Sequence, residues 1–66
     1  MLMPDPDRRD VYFEFTVVGA AVRVTAIDSA TGTEVVVMGP SSAAQADLQQ
    51  LALGKLKARL AREQLR

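Results

Sequence analysis

SSAAQADLQQLALGKLKARLAREQLR, residues 41–66, reads as one amphipathic helix, and the rest of the chain reads as a small sheet shaped to receive it. Leu48, Leu51, Ala52, Leu56 and Leu60 recur at steps of three and four, the spacing that places side chains on one face at 3.6 residues per turn. Ser42 suits an N-cap, with Gln45 three residues on to complete a capping box, and Asp47 lies near the positive end of the helix dipole. The bases gather at the other end. Leu48 and Leu51 share their side of the helical wheel with Lys55, Arg59, Arg62 and Arg66, so that side turns from apolar to basic along the helix. Gly54 marks the change, where a bend, fraying or a close contact would explain a residue that costs about 1 kcal/mol against Ala in a helix interior.

Working back, Gly39-Pro40 ends an extended run, because Pro cannot donate to a ladder and biases the preceding residue away from helix. Three short alternating segments precede it. In Val11–Val18 the residues Val11, Phe13, Phe15 and Val17 face one way and Tyr12, Glu14, Thr16 and Val18 the other, which describes a strand with one buried face. Gly19-Ala20 suits a two-residue hairpin with positive φ at the glycine. That turn pairs Val18 with Ala21, Val17 with Val22, Phe15 with Val24 and Phe13 with Ala26. Asp28 to Gly32 supplies a second turn, with Asp28 capping it and Gly32 left-handed. Pairing Asp28 with Thr33 sends Val35 and Val37 of a third strand, Thr33–Met38, inward beside Val24 and Val22.

The expected fold is therefore α+β: a three-stranded antiparallel β-meander packed against one long C-terminal helix, βββα. Its expected core is Phe13, Phe15, Val17, Val22, Val24, Ala26, Val35, Val37, Leu48, Leu51, Ala52 and Leu56. A helix of about 24 residues is roughly 36 Å long and strands of about seven residues span some 23 Å, so the helix is expected to overhang the sheet. Residues 1–10, with two Pro, three Asp and two Arg, are expected to form a loose tail before one domain at 11–66.

Bulk properties exclude several function classes. A chain of 66 residues has material for one core. It has no Cys and no His, which removes disulfides, thiolate metal sites, the commonest metal ligand and the commonest general base. No metal, cofactor or enzymatic activity is expected. Ser41 and Ser42 are explained as caps, Asp28 and Thr31 as turn residues, and Glu14 and Glu34 as carboxylates on a flat face without a cleft. The opening Met1-Leu2-Met3 is too short an apolar run for a signal peptide, and nothing approaches a membrane span of about 20 apolar residues. A soluble cytoplasmic protein with no membrane contact is the expectation.

Two surfaces carry candidate functions. Tyr12, Val18, Ile27, Val36 and Met38 lie on the sheet face away from the helix, where large apolar groups point to a protein contact, with an unknown partner or with a second copy as a homodimer. Glu14, Arg23 and Glu34 on the same face could equally serve to keep it soluble. The alternative is a nucleic-acid accessory protein gripping phosphate through Lys55, Lys57, Arg59 and Arg62. Those bases also complement the helix dipole. Formal net charge is zero, which gives no general attraction to a polyanion. In outline the fold is similar to DNA-binding domains that lay a three-stranded sheet in the major groove, but here that face holds two acids and one base.

The segments Val11-Tyr12-Phe13-Glu14-Phe15, Val18-Gly19, Val22, Ala26-Ile27-Asp28, Thr31-Gly32-Thr33-Glu34-Val35, Gly39-Pro40, Leu51-Ala52-Leu53 and Lys55-Leu56 resemble a family of short uncharacterised alphaproteobacterial proteins. The likeness runs from about Val11 to Leu60. It implies a bacterial cytoplasmic βββα domain without assigned activity, and it supplies no site residues.

Overall fold

A computed structural model describes residues 10–64. Strands β1 (Val11–Val18), β2 (Ala21–Asp28) and β3 (Glu34–Pro40) are followed by helix α1 (Gln45–Gln64). The strands form one antiparallel sheet in the order β1-β2-β3, so the α+β meander with a C-terminal helix is the observed architecture. The expected loose tail falls on residues 1–9, outside the described residues, while Asp10 already accepts a bond from the Ser29 N–H at 2.9 Å.

Both turns follow from their glycines. Gly19 has φ +61° and Gly32 φ +75°, the left-handed region where a Cβ is penalised. The first turn sets the register Val18↔Ala21, Val17↔Val22, Phe15↔Val24 and Phe13↔Ala26. The second holds the Asp28 N–H on the Thr33 carbonyl at 2.9 Å. Asp28 is fully buried, and its Oδ2 accepts from the Thr31 N–H at 3.1 Å and the Thr31 hydroxyl at 2.8 Å. The register is the one that pairing Asp28 with Thr33 requires, with Val35 opposite Ala26 and Val37 opposite Val24, both on the core face with Val22.

Strand β3 runs on through Gly39 and Pro40 rather than ending at Met38. Pro40 is tolerated because β3 is an edge strand and the missing N–H would face outward. The Ser41 N–H still donates to the Ala20 carbonyl at 2.8 Å, and the Ala43 N–H turns back to the Pro40 carbonyl at 3.0 Å. The chain therefore uses residues 40–43 as a turn, and α1 starts later than a Ser42 cap requires. Ala44 supplies the first helical carbonyl, to the N–H groups of Asp47 and Leu48 at 3.1 and 3.2 Å.

The buried stripe of α1 is Leu48, Ala52 and Leu56, with Leu60 half-buried behind it. These steps of four keep one row facing the sheet. The core comprises Val22, Val24, Ala26, Val35, Leu48, Ala52 and Leu56, with Val11, Phe13, Phe15 and Val37 packed against it. Two expected core residues are outside it: Val17 is 72% exposed and Leu51 is 59% exposed. One cause accounts for both. The helix packs over β2 and β3, brought there by Gly39, where an added Cβ would come closer than 3.0 Å to Leu48. Val17 on β1 is left uncovered, and Leu51 hangs past the β3 edge, where no fourth strand lies among the described residues.

The helix overhangs the sheet by less than expected, its 20 residues rising about 30 Å. Leu48 lies over Gly39, Lys55 donates to the Val36 carbonyl at 2.8 Å, and Glu63 accepts from the Thr33 hydroxyl at 3.2 Å. From Leu48 to Glu63 the helix rises about 22 Å, close to the roughly 20 Å from Thr33 to Gly39 along an extended strand. The expected overhang was too large because the helix starts late and β3 runs long. Gly54 is exposed within an uninterrupted helix and an added Cβ would meet nothing within 4 Å, so it marks neither a close contact nor a break.

Candidate functional site

Alternation places Tyr12, Glu14, Thr16 and Val18 of β1 on the sheet face opposite the helix, beside Ala21, Arg23, Thr25 and Ile27 of β2 and Glu34, Val36, Met38 and Pro40 of β3. The register arranges these side chains in four rows. Tyr12, Ile27 and Glu34 form the first; Glu14, Thr25 and Val36 the second; Thr16, Arg23 and Met38 the third; Val18, Ala21 and Pro40 the fourth. Directly opposed side chains in such a lattice are about 5 Å apart and diagonal ones about 7–8 Å.

This geometry brings together four of the five apolar residues expected there. Tyr12 neighbours Ile27, Ile27 is diagonal to Val36, and Val36 precedes Met38 by one strand repeat, giving a continuous diagonal band. Val18 stands apart at the hairpin end, separated from Tyr12 along β1 by Glu14 and Thr16. Tyr12 is 59% and Met38 55% exposed, and Val18 and Val36 are exposed as well, while Ile27 is half-buried. Arg23 is diagonal to Glu14, so the polar part of the face is itself charge-paired in layout.

Lys55, Arg59 and Arg62 share one side of the helix, and Lys57 does not join them. Lys55 reaches back to the Val36 carbonyl, and Arg59 lies 3.6 Å from Glu63 one turn on. Lys57 is turned about 200° from Lys55 at 3.6 residues per turn, and Arg62 lies on the flank of Leu51 and Lys55. What Lys55 and Arg59 do in this geometry is local: Lys55 covers part of the β3 edge, and Arg59 pairs with Glu63, which accepts from Thr33.

Glu14 and Glu34 are exposed and separated by the full width of the sheet. No group of three or more His, Cys, Asp or Glu side chains that could hold a metal occurs among the described residues. No described helix is long and apolar enough to cross a membrane. Val17, assigned to the core by alternation alone, belongs instead to the accessible apolar surface. The signal for that was Gly39, the residue that shares its row through Val22 and draws the helix away.

Residues 8–63 match the family model described as domain of unknown function (DUF6898), so the chain belongs to that family. No curated protein and no solved structure matches it.

Proposed function

We propose that this DUF6898 domain is a small non-enzymatic protein-interaction module of the bacterial cytoplasm, with the outer sheet face as its contact surface. The observation that carries this reading is the diagonal band Tyr12–Ile27–Val36–Met38, with Tyr12, Val36 and Met38 exposed and Ile27 half-buried between them, on a sheet face that no second layer covers among the described residues. Water in contact with that band is released when an apolar partner surface replaces it, at about 25 cal/mol per Å² of apolar area. Lack of His and Cys, and carboxylates spread across a flat face, support a role without catalysis. No observation favours phosphate binding by Lys55, Lys57, Arg59 and Arg62, and that reading stays second.

The test is the apparent mass of the tagged 66-residue chain in a bacterial extract. Wild type should run above the mass of the purified tagged chain at the same concentration, whether monomer or dimer, hold that position at high salt, and fall back to that mass on Met38→Glu or Val36→Lys while remaining folded. A complex that dissolves in salt and depends on Lys57 and Arg62 contradicts the proposal in favour of a polyanion.

A further inference from the structure

The two edges of the sheet are not equivalent. On β3 the odd-numbered residues turn their backbone groups to β2, as the Thr33 carbonyl and Ser41 N–H bonds show. The outward groups belong to Glu34, Val36, Met38 and Pro40. Of these, the Val36 carbonyl is taken by Lys55 and Pro40 has no N–H. A covering lysine and a proline are the usual means of blocking an edge. Strand β1 carries neither. Because the Asp10 carbonyl accepts from Ser29, the residue after β2, the even-numbered residues of β1 face β2, and Val11, Phe13, Phe15 and Val17 point N–H and C=O outward. No strand lies beyond them among the described residues. This open edge also holds the apolar surface that the helix leaves uncovered, with Phe13 and Phe15 half-buried and Val17 72% exposed.

The geometry points to a second copy of this chain as the occupant of the β1 edge, paired antiparallel to β1 about a two-fold axis through Phe15, making one six-stranded sheet. Side chains directly opposed across an antiparallel pair share a face, so an odd residue must meet an odd one and an even residue an even one. Few registers satisfy this with good overlap. Centring the axis on Glu14 sets Glu14 against its own copy, and like charges directly opposed are destabilising. Centring it on Thr16 sets Glu14 against Val18 and leaves Tyr12 and Phe13 without strand partners. Centring it on Phe15 opposes Phe15 to itself, Phe13 to Val17, Glu14 to Thr16 and Tyr12 to Val18. Every outward backbone group from Phe13 to Val17 then has a partner, and no charge meets its like directly.

Two otherwise stray features fall into place. Val17 gains an aromatic neighbour on the helix side. On the outer face Val18 of one copy comes beside Tyr12 of the other, so the isolated valine joins the apolar band and the two bands become one surface. This inference concerns a different surface from the outer-face contact and stands without it.

The experiment is sedimentation equilibrium of the purified 66-residue chain over a wide concentration range, with fold checked by circular dichroism. Wild type should reach a dimer. Val17→Pro should remain folded, because it removes an N–H that makes no ladder bond within one copy, and should be monomeric throughout. Thr16→Glu faces Arg23 within its own sheet but Glu14 across the two-fold axis, twice per dimer. It should weaken the dimer about fivefold, and Thr16→Lys should tighten it. A wild type that stays monomeric at all concentrations overturns the proposal. A dimer indifferent to Val17→Pro and Thr16→Glu but broken by Met38→Glu also overturns it, and places self-association on the outer face.

Discussion

Leu48 occupies the space that a side chain at position 39 would fill: a Cβ added to Gly39 would lie closer than 3.0 Å to its terminal methyl, with the other methyl at 3.3 Å. This contact brings the start of the helix down onto β3. The cover it gives Val22 and Val24 leaves Val17 in water, and the exposed apolar surface of β1 follows from it.

Gly39→Ala should therefore destabilise the fold by about 1–3 kcal/mol, the usual cost of overpacking a filled core. Leu48→Ala alone should cost about 2–5 kcal/mol through the cavity it leaves. In the double variant the two losses should fall short of their sum, because the new methyl enters the space Leu48 vacates. Urea unfolding of the three variants checks the coupling, and strict additivity would mean that the two residues do not meet.

Gly54→Ala should stabilise the protein by about 0.5–1 kcal/mol, since the position is helical and its Cβ would meet nothing within 4 Å. Thermal unfolding reads this directly. A loss of stability would place an unseen contact at that face of the helix.

Asp28→Ala should cost about 1–3 kcal/mol, because a fully buried acceptor that organises the second turn through both Thr31 donors is lost. Thr31→Val should reproduce part of that loss. Amide exchange at Thr31 and Gly32 is the sensitive probe, and unchanged protection there would remove Asp28 from the role of turn anchor.

Lys55→Gln should leave thermal stability nearly unchanged, as the group is exposed, yet should lower solubility by uncovering the Val36 carbonyl on the β3 edge. Turbidity at rising concentration measures this. Equal solubility would show that the lysine does not guard the edge.

The sheet was legible from the chain because its signals are local. A glycine at the first hairpin position and alternation on either side of it lead to one register, and Asp28 with Gly32 lead to the next. The helix face was legible only in part. Leu51 lies one turn from Leu48 and is as apolar, although its four-step row continues to Lys55 and Arg59 where that of Leu48 continues to Ala52, Leu56 and Leu60. What separates them is the lateral position of the helix on the sheet, set by a tertiary contact between Leu48 and Gly39 that no local pattern encodes. For the same reason Val17 was indistinguishable from Phe15 by alternation. The outer face was legible residue by residue, whereas its division into a band and a detached Val18 needed the register across all three strands.

The most direct measurement of the central claim is site-specific photo-cross-linking of the 66-residue chain in a bacterial extract, with the reactive side chain placed in turn at Tyr12, Met38 and Lys57. The outer-face contact predicts protein adducts from positions 12 and 38, persisting at high salt, and none from position 57. Adducts from position 57 alone, above all to nucleic acid and lost in salt, would contradict it.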